Sequence, residues 1–167
     1  MLTLKGMRIY LAGPDVFFPD SAWRGAAMKA ACARHGLIGV FPLDPPLTPP
    51  AMPPEAPEWL RIHIANEAHI HSCDALVANI TPFRGASADP GTAWEMGFMR
   101  ALGRPVLAWT EETRDYQARV TPDGLAVEDF GLADNLMLAG GVALSGGAVL
   151  RGPEAFERCL EWLRGRY

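Results

Sequence analysis

Apolar positions in this chain come in short β-rich runs, separated by amphipathic stretches of helical period and by polar connections marked with Gly and Pro. Met7 to Ala12 (MRIYLA) is such a run; it stops at Gly13-Pro14 and predicts a buried first strand. Ser21 predicts the N-cap of a helix from Ala22 to Arg34, closed by His35-Gly36. Leu37 to Phe41 predicts a second strand, Glu58 to His71 a helix, and Asp74 to Ile80 (DALVANI) a third strand. Gly91 to Leu102 predicts a helix stopped by Gly103, with Pro105 just beyond, and Pro105 to Trp109 a fourth strand. The apolar piece Val142 to Leu144, inside a Gly-rich stretch, predicts a fifth strand. Pro153 predicts the first position of a last helix, with Phe156, Leu160 and Leu163 on one face.

Strands alternating with helices predict the α/β class: a doubly wound, mainly parallel five-stranded sheet with helices on both faces. Ligands of such sheets bind beyond the carboxyl ends of the strands. Here those ends are Gly13–Phe18, Phe41–Asp44, Ile80–Asp89 and Thr110, where the polar and Pro/Gly-rich segments fall. The segment 42–57 holds eight prolines. Proline lacks the amide donor and fixes φ, so this segment predicts an extended loop, ordered or mobile, that can wall a site.

Composition narrows the class further. The 167 residues suit one domain, 1–167, and 49% hydrophobic with 20% charged residues is ordinary for a soluble globular protein. A net charge of −4 leaves no basic excess for nucleic acid. No apolar run approaches the roughly 18 residues of a membrane span, and no signal region opens the chain, so a cytoplasmic protein without membrane contact is expected. Cys32, Cys73 and Cys159 form no CxxC pair and predict reduced thiols. His63, His69 and His71 are spaced by six and two residues, which does not stack them on one helix face for a metal. Gly13-Pro14-Asp15 is no dinucleotide fingerprint, and no Walker sequence or serine elbow is present.

The segment Thr81 to Gly97 (TPFRGASADPGTAWEMG) carries the candidate chemistry. Glu95 shares its helix stripe with Phe98, Met99 and Leu102, so its carboxylate falls on the inward side. Such a group is hydrogen-bonded, reactive, or a boundary glutamate reaching solvent; spacing alone does not decide. Asp89, before Pro90, fits a helix cap, and also fits the second carboxylate of glycosyl-transfer chemistry six residues from Glu95. Asp74 opens the third strand, as a solvated strand end or a site residue. Tyr10, inside the first strand, has a hydroxyl to satisfy and can hold Glu95 in an attacking rotamer.

Four blocks, IYLAGPDVF (9–17), CDALVANITPFRG (73–85), DPGTAWEMG (89–97) and FGLADNLML (130–138), resemble the nucleoside 2-deoxyribosyltransferases, most closely the branch with the kinetoplastid enzymes. The resemblance implies a flavodoxin-like sheet and no metal or organic cofactor. It implies Glu95 as the nucleophile at C1′ of deoxyribose, with Tyr10 orienting it. Asp89 and Asp74 would be the carboxylates around the nucleobase. Gly13, Phe17 and the Phe83-Arg84-Gly85 loop would lie against base or sugar. Asn135, with Met137 beside it, would be donated by a neighbouring subunit to the sugar 5′-hydroxyl, which requires a homo-oligomer. The partners implied are a deoxyribonucleoside and a free nucleobase. The Pro-rich segment departs from the family, leaving purine or pyrimidine preference open. Two other readings stay in view: a deoxynucleoside 5′-monophosphate N-glycosidase and a non-catalytic nucleotide-sensing module.

Overall fold

A computed structural model describes residues 6–166. Three runs rich in buried residues, β1 (Arg8–Ala12), β3 (Ala75–Asn79) and β4 (Val106–Thr110), lie side by side at the centre of a sheet. They are covered on both faces, which is why they are nearly continuous in apolar residues. Two three-residue strands, β2 (Ile38–Val40) and β5 (Val149–Arg151), close the edges. The order is β2-β1-β3-β4-β5 and every pairing is parallel, with Tyr10 opposite Leu76 and Val77 opposite Leu107. This is the doubly wound, flavodoxin-like arrangement, in which a crevice opens where the strand order reverses, between β1 and β3.

Strand side chains alternate between two cores. Ile9, Leu11, Val77 and Leu107 pack with Met28 and Cys32 of α1 (Ser21–Arg34) and with Cys159, Leu160 and Leu163 of α5 (Ala155–Arg166). Tyr10, Ala12, Leu76 and Ala78 face the other way, toward Ile70 of α2 (Glu58–His71), Met96 and Met99 of α3 (Pro90–Ala101), and Val142 of α4 (Leu136–Leu144). Tyr10 thus points at α3 because of its parity in β1.

The structure corrects four local expectations. Val142 to Leu144 ends α4, and the fifth strand is Val149–Arg151. An apolar triplet has no period of its own, and Asn135 caps a helix that runs through it. The chain then turns at Gly147, where a Cβ would lie 1.8 Å from the Val106 carbonyl oxygen. Pro153 is not in the last helix: Gly152 (φ 85°) and Glu154 (φ 60°) are left-handed, so α5 starts only at Ala155. Ser21 lies inside α1 and Asp20 holds the cap position. Asp74 precedes β3 rather than opening it.

The Pro-rich segment is pinned at both ends. Asp44 accepts from Lys29 Nζ at 2.6 Å and from the Phe41 amide at 2.9 Å, and its carbonyl accepts from His69 Nε2 at 2.9 Å. Arg61 Nε donates to the Ala56 carbonyl at 2.8 Å. Of the two sequence alternatives, the structure has the ordered loop. Among the described residues, no helix is long and apolar enough to cross a membrane.

Candidate active site

Asp89 starts the helix that carries the site. Its side chain accepts from the Thr92 amide at 3.1 Å, and Pro90 follows where no amide is needed. Glu95 comes one and a half turns later, on the side facing the sheet. There the Tyr10 hydroxyl donates to Glu95 Oε1 at 2.7 Å. Burial, the largest cause, pushes the Glu95 carboxyl up to about 7; the Asp89 charge adds to the rise and the Tyr10 hydrogen bond opposes it. Burial first, then the neighbouring Glu95, pushes the Tyr10 phenol far above its ordinary range, so it stays a donor. Tyr10 is backed by His69, whose ring stacks on it at 6.4 Å between centroids. Burial lowers the His69 pKa, and its Nε2–H is committed to the Asp44 carbonyl. The Pro-rich loop, His69, Tyr10 and Glu95 therefore form one connected row.

A second group sits at the carboxyl ends of β1 and β3. Phe17, 54% exposed, stacks on Phe83 with centroids 5.4 Å apart and planes 12° apart. The Arg84 guanidinium lies 4.8 Å from the Phe83 ring and 5.4 Å from the Phe17 ring. Arg84, not Gly85, takes the left-handed conformation in this loop (φ 56°). Gly13 stands where β1 meets β3: a Cβ there would lie 2.7 Å from Asn79 Cβ. That approach lets Asn79 Nδ2 donate to Asp15 Oδ2 at 2.8 Å while Asn79 Oδ1 accepts from the Thr81 amide at 3.0 Å. One asparagine thereby joins both loops.

The third group is the start of α4. Asn135 Oδ1 accepts from the Met137 amide at 2.9 Å, and its Nδ2 donates to Glu128 Oε1 at 2.7 Å. Met137 itself is 74% exposed. Asp134, 1% exposed, ties this helix start to the Asp89 loop. It accepts from the Ala88 amide at 2.8 Å, from the Asn135 amide at 2.7 Å, and from the Ser87 hydroxyl.

Tyr10, Asp89 and Glu95 are brought together; Phe17, Phe83 and Arg84 form an aromatic cluster at the carboxyl ends of β1 and β3; Asn135 and Met137 stand at the start of α4. Asp74 is not brought to them. It lies at the amino-terminal edge of the sheet, where its Oδ2 accepts from the Arg8 amide at 2.8 Å. The parallel strands carry the crevice to their opposite ends, so Asp74 is corrected from a site residue to a strand-end cap. Sequence reasoning missed Asp134, Glu128, Asn79 and Asn66. Asn66 lies on α2 between His63, whose ring is 5.0 Å from that of Trp94, and His69 against Tyr10. Its Oδ1 is buried with no hydrogen-bond partner. Its helical spacing from His69 and Ile70 was the available signal. Among the described residues, no group of three or more His, Cys, Asp or Glu is placed to hold a metal ion.

Comparison with known proteins fits this geometry. Residues 9–137 match the family model of the nucleoside 2-deoxyribosyltransferases. An uncharacterized protein of Schizosaccharomyces pombe is 30% identical over an alignment covering 84% of this chain and 79% of that protein. The solved structure of a 2-desoxiribosyltransferase from Leishmania mexicana is 30% identical, with a TM-score of 0.75 over 96% of this chain and 99% of that one. A Clostridium botulinum CMP N-glycosidase, 15% identical, shares the fold with a TM-score of 0.54 over 93% and 97% of the two chains. The chain belongs to the nucleoside 2-deoxyribosyltransferase family.

Proposed function

We propose that this protein transfers 2-deoxyribose between nucleobases by double displacement at Glu95. The observation that carries the reading is the Tyr10–Glu95 hydrogen bond, which holds against β1 a carboxyl group that burial pushes up to about 7. Glu95 attacks C1′ and the C1′–N bond breaks, its electron pair leaving with the base, which takes up a proton. Asp89, close enough to raise Glu95, handles that proton. A second base enters, its ring nitrogen attacks C1′ while Asp89 takes the N–H proton, and the Glu95 carboxylate leaves. Two inversions give net retention. In the absence of an acceptor base, water resolves the same ester, giving slow hydrolysis.

Phe17, Phe83 and Arg84, with Gly85 in the same loop, supply the stacking edge for base or sugar. With Asp74 outside the site, Asn66 is the polar group that α2 offers the base; a carboxamide can both donate to and accept from a base edge. Asn135, with Met137, reaches the 5′-hydroxyl of a neighbouring subunit's substrate. Support for that neighbour comes from an apolar groove of about 500 Å³ between α3 and α4, lined by Ala93, Met96, Leu136, Met137 and Leu144. Met137 and Leu144, 74% and 77% exposed, are the residues a second copy would cover. Three free buried thiols suit a reducing compartment such as the cytoplasm.

The test is base exchange. Purified protein is mixed with deoxyinosine and adenine, and deoxyadenosine is followed by chromatography. Its formation, lost in Glu95→Ala, is the expected result. The absence of base exchange across purine and pyrimidine deoxynucleosides would refute the reading.

A further inference from the structure

This fold serves both a 2-desoxiribosyltransferase and a CMP N-glycosidase, so the substituent at the sugar 5′ position is an open variable. Glu128 bears on it. This residue lies in the polar connection before α4 and is half-buried. Its Oε1 accepts from Asn135 Nδ2 at 2.7 Å and its Oε2 from the Leu136 amide at 2.8 Å. No lysine or arginine among the described residues forms a salt bridge with it. A carboxylate therefore already occupies the place where an outside anion would meet the Asn135 side-chain amide and the Leu136 amide that opens α4.

We propose that Glu128 is a specificity-determining residue, which admits sugars with a neutral 5′-hydroxyl and rejects 5′-phosphates. The inference rests on the reading that Asn135 meets the 5′-hydroxyl. Asn135 Oδ1 is engaged by the Met137 amide and one Nδ2 hydrogen by Glu128. One N–H and one lone pair remain. A hydroxyl donates and accepts, and fits that remainder; a phosphate only accepts. A phosphate on the same oxygen falls two hydrogen-bond lengths from the Glu128 carboxylate, on the order of 5 Å. At that separation in a partly desolvated crevice, like charges repel strongly. Opening the Asn135–Glu128 contact to relieve the repulsion would leave the Leu136 amide without its acceptor. Glu128 and Asn135 belong to one chain, so both reach the neighbouring crevice together. Selection against phosphate is then supplied across the subunit interface.

The experiment is calorimetric binding of 2′-deoxyadenosine and its 5′-monophosphate to Glu95→Ala protein, which binds without turnover. Glu128→Gln and Glu128→Lys are added on that background, with Asp129→Asn as a control for net charge. Expected is a preference for the nucleoside of roughly a hundredfold, narrowed about tenfold by Glu128→Gln and further by Glu128→Lys. Asp129→Asn leaves the ratio unchanged. Raising ionic strength narrows the preference in the Glu128 protein, a reading that needs no Glu128 variant to fold. Equal affinity for the two compounds, or a ratio unmoved by salt and by both Glu128 substitutions, overturns the proposal. A preserved preference in a protein whose Glu95 form exchanges no bases supports Glu128 and refutes the transferase reading alone.

Discussion

Tyr10 and Glu95, 85 residues apart in sequence, meet through one hydrogen bond of 2.7 Å from phenol to carboxylate. The bond exists because Tyr10 has the strand parity that faces α3, and Glu95 has the helical phase that faces the sheet. Tyr10→Phe removes the one hydrogen bond that lowers the Glu95 pKa. The acid limb of kcat/KM should move to higher pH, and kcat should fall about tenfold or more as the carboxylate loses its fixed rotamer. A pH–rate profile checks both. An unmoved limb would mean that the phenol does not tune the nucleophile.

Glu95 also makes stability depend on pH. Its folded pKa of about 7 lies above the ordinary 4.5, so the folded state holds this proton more tightly than the unfolded state. The contribution to stability is fully present below 4.5 and is lost as pH rises through 7. Glu95→Gln, which carries no charge to desolvate, should exceed the wild type by about 2 kcal/mol at pH 8, after allowance for partial solvent access. The two should match near pH 4. Urea midpoints at both pH values measure the difference, while kcat/KM of the wild type rises through pH 7 and the variant is inactive.

Part of this was legible in the sequence. β1, β3 and β4 are apolar runs ending at Gly, Pro or polar residues, and a central parallel strand has to look like that. The Glu95 stripe and the Asp89-Pro90 helix start follow from local rules. Val142 to Leu144 misled because a short apolar run serves helix and strand equally, and α4 is apolar almost all round. Asp74 misled because its site role came from the resemblance alone, although a residue that opens a strand of a parallel sheet stands at the amino end, away from the crevice. Asp134, Glu128 and Asn79 bind groups brought near by the fold, and hydrogen bonds of that kind leave no period in the chain.

Asp134 shows what such a residue contributes. Its carboxylate satisfies two buried or part-buried backbone amides and a hydroxyl, joining the Asp89 loop to the start of α4. Asp134→Ala leaves those donors unpaired and should destabilise the protein by about 3 kcal/mol. Chemical denaturation gives the value; a loss under about 0.5 kcal/mol, the scatter of surface substitutions, contradicts the account.

Asn66 should behave in the opposite way. Its buried Oδ1 has no partner to lose, so Asn66→Ala should leave stability almost unchanged. If the carboxamide meets the base, kcat/KM for exchange falls about tenfold or more. Full activity with lowered stability would assign Asn66 to the fold instead.

The most direct measurement is an acid-quenched reaction of the wild type with deoxyinosine and no acceptor base, digested and analysed by mass spectrometry. The account predicts one deoxyribosyl group, as an ester, on the peptide containing Glu95, and its disappearance when adenine is added before the quench. Base exchange with no such adduct, and undiminished exchange in Glu95→Ala, would contradict it.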